Sequence, residues 1–319
     1  MVVEWDPGLA APWVRRPAAN DDKYRRGVLG IRTGSAAFPG AAVLGVTAAW
    51  RTGAGLVRFV PALDDEPPRF GLPTPAAAVL LARPETVVGL PEGARVDAWL
   101  VGSGTDPTLR STAERRALEG LLAGEAPVVV DASALRLGIG AGDTSSGSRA
   151  PRILTPHSGE FASLWESLGL GPMPGLRDSE DGESRAAAAV ELAGRTGAAV
   201  LLKGSTSVCA TPGGACYSAG PATPWLATAG TGDVLAGILG ALVAGRAGAV
   251  RDDPELLGPL GATAALLHDL AARIAAGDHS RPDDEGAGVH TSGGPIAALD
   301  VAGALPSAVR LLLGPAEDA

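Results

Sequence analysis

The sequence predicts an α/β fold, a mainly parallel central sheet carrying helices on both faces. Two observations lead there. Apolar runs of two to five residues alternate with stretches of helical periodicity along most of the 319 residues, the pattern of successive β-α-β units. The apolar content is 46% but aromatics are only 4%, so the core must rely on aliphatic side chains and close backbone approach. Such packing suits helices layered on a sheet.

Residues 1–22 are Pro-rich and mixed in charge and read as an extended arm. A first strand is expected at 28–32, a helix at 40–52 and a second strand at 56–60. Further strands are expected at 98–101, 127–130, 153–154 and 198–202, with helices at 111–122, 161–168 and 184–196 between them. Val234, Leu235, Ile238, Leu239, Leu242 and Val243 recur on one helical face, and no charge interrupts this stretch before Arg246. A helix buried on most sides is therefore expected after Asp233. Three segments resist a packed assignment and read as surface insertions, near 137–149, 169–183 and 277–294. No repeat or linker divides residues 23–315, which read as one domain.

The formal net charge is −9 and no Lys/Arg cluster occurs, which excludes the electrostatic footprint of a nucleic-acid binder. An anionic small ligand would need local devices, such as helix N-termini and single lysines. The two cysteines, Cys209 and Cys216, form no CxxC pair and suggest neither a disulfide framework nor a zinc site. No signal-peptide pattern or apolar run of membrane-spanning length is seen, so no membrane partner and a cytoplasmic location are expected.

Three turns carry chemistry, each just after an expected strand or opening a helix, where open α/β sheets form their ligand crevice. Gly230-Thr231-Gly232-Asp233 opens the buried helix. Its glycines admit close approach, and the free N–H groups of the helix end suit phosphate oxygens. Asp233 taken alone could simply cap the helix. Near a bound phosphate and a substrate hydroxyl it would serve as general base.

Thr155-Pro156-His157-Ser158-Gly159-Glu160 joins a strand to a helix and turns His157 and Glu160 toward the crevice. Glu160 suits a water-bridged Mg²⁺, although compensation of the helix dipole is an equally good reading of that residue by itself. Leu202-Lys203-Gly204-Ser205-Thr206 ends a buried strand with a lysine that could meet a phosphate, although by itself it reads more readily as a solvent-facing strand end. Asp131, at another strand end, reads as a cap for the following turn. Neither Gly102-Ser103-Gly104-Thr105-Asp106 nor Thr52-Gly53-Ala54-Gly55-Leu56 completes a dinucleotide fingerprint.

Taken in order, Lys23-Tyr24-Arg25-Arg26-Gly27, Phe38-Pro39-Gly40-Ala41-Ala42, Gly53-Ala54-Gly55-Leu56-Val57, the Thr155–Glu160 turn, Leu202-Lys203-Gly204 and Gly230–Asp233 resemble the ADP-dependent NAD(P)H-hydrate dehydratases. That family has a ribokinase-like three-layer fold. The resemblance implies a repair lyase that dehydrates the S epimer of hydrated NADH or NADPH, with ADP as co-substrate and Mg²⁺ as cofactor. It also implies a separate epimerase as functional partner and a homo-oligomer such as a tetramer. The short N-terminal arm suggests the form without a fused epimerase domain.

By matching motif, Asp233 would be the catalytic base and Gly230, Thr231 and Gly232 the anion hole. Lys203, Gly204, Ser205, Thr206, Ser207 and Gly232 would hold the nucleotide. Ala41, Gly104, His157 and Asp233 would contact the hydrated dinucleotide, and Glu160 would hold the metal through water.

Two turns depart from the family pattern. Gly-Pro-Gly-Leu-Gly is here Gly102-Ser103-Gly104-Thr105-Asp106, and Asp-Ala-Asp-Ala-Leu is Asp131-Ala132-Ser133-Ala134-Leu135. Loss of the proline is expected to loosen the first turn, and Asp106 to add negative charge near an anionic substrate. A ribokinase-like kinase of a vitamin-precursor alcohol would need the same base and anion hole. A nucleotide sensor that keeps the fold would need no base.

Overall fold

The structure, a computed structural model, describes residues 1–63, 71–139, 150–173, 182–278 and 292–315. Its strands are β1 (Val2–Glu4), β2 (Val28–Arg32), β3 (Leu56–Phe59), β4 (Val87–Val88), β5 (Ala98–Val101), β6 (Val128–Val130), β7 (Arg152–Leu154), β8 (Ala199–Leu202), β9 (Ser207–Ala210) and β10 (Cys216–Ala219). They form one sheet in the order β1-β10-β9-β8-β7-β6-β5-β2-β3-β4. Every neighbouring pair is parallel except β8–β9 and β9–β10.

The helices are α1 (Pro7–Ala10), α2 (Pro39–Thr52), α3 (Pro75–Ala82), α4 (Thr112–Leu122), α5 (Leu135–Ile139), α6 (Ser158–Ser167), α7 (Gly182–Thr196), α8 (Thr231–Ala244), α9 (Ala247–Asp252), α10 (Leu257–Ala276) and α11 (Ala298–Leu313). Strand side chains alternate between two cores. Val129 and Leu201 pack with α2, α8, α10 and α11, while Val128, Val130, Val200 and Leu202 pack with α4, α6 and α7. The result is the expected three-layer sandwich. None of the described helices is long and apolar enough to cross a membrane.

Every residue of α8 is buried except Gly232 and Asp233. The backbone of α2 lies directly against it: a Cβ at Gly237 would stand 2.3 Å from the Gly45 carbonyl oxygen. Only glycine there lets the two helices approach this closely. This contact fixes where the first turn of α8, with its two accessible residues, meets the end of the sheet.

The N-terminal arm is more structured than expected. β1 extends the sheet edge, and Trp5 N donates to Ser218 O at 2.7 Å. The Trp5 ring is buried edge-on against Tyr217, and its Nε1 donates to Thr263 Oγ1 at 3.0 Å. Residues 140–149, 174–181 and 279–291, most of the three expected insertions, lie outside the described residues. Cys209 and Cys216 are both free and buried, one in each core, and burial pushes both thiols up.

Candidate functional site

The site forms where β5, β6, β7 and β8 end beneath the N-terminus of α8. Gly230 opens that helix with φ +88, and a Cβ there would meet Leu44 Cδ1 at 2.7 Å. Both the backbone conformation and the space thus call for glycine. The Thr231 hydroxyl donates back to the Leu226 and Thr228 carbonyls at 3.0 and 2.9 Å, pinning the preceding turn. Among the described residues nothing accepts the backbone N–H groups of Thr231, Gly232 and Asp233. Of the expected anion-hole residues Gly230, Thr231 and Gly232, the last two thus offer open backbone donors, with the Asp233 N–H beside them and the threonine side chain bracing the turn.

Asp233 stands at the mouth of this turn, and its carboxylate accepts no hydrogen bond among the described residues. Burial pushes its pKa up to about 6, Asp131 adds to the rise, and Lys203 opposes it. A carboxylate capping its own helix would accept N–H bonds and be held low. Asp233 instead has the proton affinity of a general base at neutral pH.

Lys203 lies between the acidic groups. Its Nζ bonds Asp131 Oδ1 at 2.9 Å and stands 4.0 Å from Glu160 Oε2. A Cβ on Gly232 would be 3.7 Å from it, so the ammonium sits beside the α8 N-terminus. Burial alone would lower its pKa, but Asp131, Glu160 and Asp233 outweigh that and raise it. The lysine is a fixed cation where phosphate oxygens would lie.

Asp131 does not cap its turn as expected. It makes no capping bond and is 3% exposed. Its carboxylate accepts from Ser103 Oγ (2.7 Å), Thr155 Oγ1 (2.7 Å) and Lys203 Nζ. Burial pushes its pKa up, yet the Lys203 charge and these bonds together hold it below its ordinary value. The next residue, Ala132, takes φ +46, an uncommon conformation for a residue with a Cβ.

His157 and Glu160 form a reciprocal cap on α6. His157 Nδ1 accepts from the Gly159 and Glu160 N–H groups at 3.0 and 3.2 Å, and Glu160 Oε2 accepts from His157 N at 2.9 Å. The ring hydrogen therefore sits on Nε2. Glu160 Oε1 has no protein donor among the described residues. No group of three or more metal-ligating side chains occurs among those residues. The open Glu160 carboxylate oxygen is a donor of the kind Mg²⁺ would take beside several waters.

A cavity of about 1000 Å³ opens beside Lys203 and the α8 N-terminus. Lys203, Gly204, Ser205, Ser207 and Gly232 line its polar end, and Leu226, Leu235, Ala265, Leu266 and Leu270 give it an apolar wall. His157 lies on its rim. Thr206 does not line it, and its carbonyl instead accepts from Arg185 at 3.5 Å.

Ala41 and Gly104 lie outside this cavity and touch each other, a Cβ on Gly104 falling 2.3 Å from Ala41 Cβ. Ala41 is about one helical turn before Gly45, which packs near the Asp233 backbone oxygen. Ala41 and Gly104 thus lie apart from the Lys203–Ser207 turn, whereas His157, also an expected dinucleotide contact, lines the same cavity as that turn.

A sequence model of the NAD(P)H-hydrate dehydratase family matches residues 29–285. The chain belongs to this family. It is 40% identical over 241 residues to the bifunctional NAD(P)H-hydrate repair enzyme of Mycobacterium tuberculosis, covering 74% of this chain and 44% of that one. It is 33% identical over 249 residues to the ADP-dependent (S)-NAD(P)H-hydrate dehydratase of Neisseria meningitidis, covering 74% and 76%. The solved ADP/ATP-dependent NAD(P)H-hydrate dehydratase of Bacillus subtilis, co-crystallised with ATP/Mg²⁺, superimposes with a TM-score of 0.72 at 25% identity, covering 98% and 99%. The chain thus spans less than half the length of the mycobacterial bifunctional relatives it matches.

The two departing turns are bonded to each other. Ser103, where proline was expected, is the residue that donates to Asp131. Thr105 Oγ1 and Ser133 Oγ are 2.5 Å apart, and Ser133 Oγ also donates to the Gly102 carbonyl at 2.9 Å. The turn is therefore tied by side-chain bonds. Asp106 is occupied by Thr108 N and Oγ1, at 2.8 and 2.7 Å.

The motifs missed Arg185 as well as the role of Asp131. Arg185 is 1% exposed on α7 and reaches the Lys203 carbonyl at 3.4 Å and Ser158 Oγ at 3.5 Å, joining the two phosphate-side turns. Its neighbourhood in sequence is acidic and polar, the signature of a solvated helix end.

Proposed function

We propose that the chain catalyses the ADP-dependent dehydration of the S epimer of hydrated NADH or NADPH, releasing AMP and phosphate. The observation that carries this reading is Asp233, a carboxylate without a hydrogen bond among the described residues and with a pKa pushed up to about 6, beside free helix N–H groups and Lys203. In this reaction the substrate's ring hydroxyl attacks the terminal phosphorus of ADP, and Asp233 takes its proton. The bond to the leaving AMP oxygen breaks. The ring nitrogen lone pair then expels the new phosphate from the adjacent carbon, and loss of a neighbouring C–H proton restores the dihydropyridine. The hydroxyl oxygen leaves in phosphate, so the sum is dehydration coupled to cleavage of ADP.

The Thr231, Gly232 and Asp233 N–H groups meet the phosphoryl oxygens, where preorganised donors act most strongly. Lys203, kept protonated by its carboxylate neighbours, binds the diphosphate. Mg²⁺, held through water by Glu160, would supply further neutralisation of the phosphates. The apolar part of the large cavity suits the base of ADP, and Ala41, Gly104 and His157 suit the hydrated dinucleotide. A separate epimerase would convert the R epimer into the S form that this reaction consumes.

The test is to incubate the chain with ADP and acid-hydrated NADH. Recovery of NADH absorbance with stoichiometric AMP and phosphate is expected. Accumulation of a stable phosphorylated product would assign a kinase instead, and nucleotide binding without turnover would assign a sensor.

A further inference from the structure

A second cavity, of about 310 Å³, opens where α4, α5 and α6 approach the ends of β5 and β6. It shares no lining residue with the nucleotide-side cavity. Its charged lining residues are Arg110, Arg115, Arg136 and Glu160. Three cations against one carboxylate is an unusual balance for a chain of net charge −9, and Glu160 is itself 4.0 Å from Lys203 Nζ. Glu119 and Asp106 stand nearby but do not line the cavity. Glu119 meets Arg115 at 3.4 Å in an exposed pair, of the kind that contributes little in water, and Asp106 is bonded by Thr108.

Serines in the wall hold two of the guanidinium groups. Arg110 Nη2 donates to Ser133 Oγ at 2.7 Å and to Ser133 O at 3.3 Å, and Arg136 Nη2 donates to Ser163 Oγ at 2.8 Å. A hydroxyl partner orients a guanidinium and leaves its charge in place. Arg136 is exposed and pairs with no carboxylate among the described residues, so its other N–H groups are open to a ligand. A planar fork of charged donors suits phosphate oxygens. The position of the cavity narrows the source of that phosphate. Ser133 Oγ is 2.5 Å from Thr105 Oγ1, next to Gly104, and Glu160 is bonded through the α6 cap to His157. Both turns thus carry a residue suited to the hydrated dinucleotide, whereas ADP has a cavity of its own.

We propose that Arg110, Arg115 and Arg136 form a subsite for a phosphate group of the hydrated dinucleotide, either its central diphosphate or the 2′-phosphate that NADPH carries and NADH lacks. This rests on the reading that the chain takes hydrated NADH or NADPH. The experiment measures binding of NADH and NADPH, the products that keep these phosphates, and of ADP, by calorimetry to the full chain and to Arg136→Gln. The substitution weakens NADPH binding by about tenfold to a hundredfold, the worth of one charge-assisted hydrogen bond. Equal weakening of NADH assigns the subsite to the diphosphate, and unchanged NADH binding assigns it to the 2′-phosphate. ADP affinity is unchanged in either case.

Ser163→Asp tests the same charge without removing the arginine: a carboxylate beside Arg136 neutralises it, and the same dinucleotide loses affinity. Arg251→Gln removes one positive charge from an exposed position outside both cavities and changes none of the three affinities. Unchanged dinucleotide binding in Arg136→Gln, a loss that falls on ADP alone, or a loss matched by Arg251→Gln overturns the proposal. If the unsubstituted chain binds neither dinucleotide, the dehydratase reading itself fails. If it binds them and Arg136→Gln changes nothing, only the subsite fails.

Discussion

Replacing Asp233 by Asn separates a base from a helix cap, because the two roles change stability in opposite directions. A carboxylate that stabilised α8 through its dipole would contribute about 0.3–1 kcal/mol, and its loss would weaken the fold. Asp233 is instead penalised by burial and by Asp131. Its carboxyl titrates near 3.8 when unfolded and at about 6 when folded. Ionised Asp233 therefore costs about 3 kcal/mol at one pKa unit per 1.36 kcal/mol, reduced to about 1–2 kcal/mol by solvent screening of a side chain that is not fully buried.

The penalty is absent below about pH 4, where both states are protonated, grows between the two pKa values, and is complete above about pH 6. Asn has nearly the same shape, fills no new space and forfeits no described hydrogen bond of the side chain. Asp233→Asn should therefore be more resistant to urea than the unsubstituted chain by about 1–2 kcal/mol at about pH 8, and equal to it near pH 4. In the hydrated-NADH assay its turnover should fall at least about a hundredfold. A variant less stable than its parent at pH 8, or one retaining near-normal turnover, would refute the reasoning.

The remaining predictions concern the groups around that carboxylate. The kcat/KM of the unsubstituted chain should rise with pH through an apparent pKa of about 6, the unprotonated base being the active form. Asp131→Asn removes a neighbouring negative charge that raises Asp233, so the acidic limb should move to lower pH, and a limb that moves up or stays fixed contradicts the coupling. Lys203→Met leaves Asp131 buried without its cation; a loss of about 3–5 kcal/mol in urea stability is expected, with a higher KM for ADP, and an unchanged midpoint argues against the pair. Ser103→Ala removes one donor to the same buried carboxylate and should cost about 1–3 kcal/mol, whereas Thr108→Ala, on an exposed turn, should cost under about 0.5 kcal/mol.

What the sequence shows of this fold depends on how each element is buried. The strands of the parallel sheet centre are buried on both faces and read as plain apolar runs, so β2 and β5 fall at the residues expected. β1, β4 and β10 are edge or near-edge strands of two to four residues and carry too little pattern to register. α10, rich in Ala, Gly and Leu and buried on most of its surface, has no polar stripe to mark a helical period. For the candidate site, a charged residue beside glycines is what singles out Lys203, Glu160 and Asp233 in the sequence. Arg185 carries no such mark, and its described bonds include backbone carbonyls of Lys203 and Thr206, on a different element.

In the proposed reaction, the arrangement of Asp131, Lys203 and Asp233 would let a chain of net charge −9 handle anions without a basic surface. Lys203 is neutralised in advance by Asp131, so the empty pocket holds no excess positive charge that would have to be desolvated when a ligand arrives. A terminal phosphate entering beside Gly232 brings negative charge toward Asp233, the same sign that already raises its pKa from Asp131. The proton affinity of Asp233 therefore increases when the nucleotide is bound, which is when the substrate hydroxyl must be deprotonated. Phosphate oxygens that draw Lys203 away from Asp131 would weaken the one neighbour that opposes the rise. The backbone N–H groups of α8 limit this effect, because they lower the phosphate charge felt by Asp233. Asp233 thus stays largely ionised in the empty site at neutral pH and becomes a stronger base as the phosphoryl group approaches, using the ligand's charge in place of a further side chain.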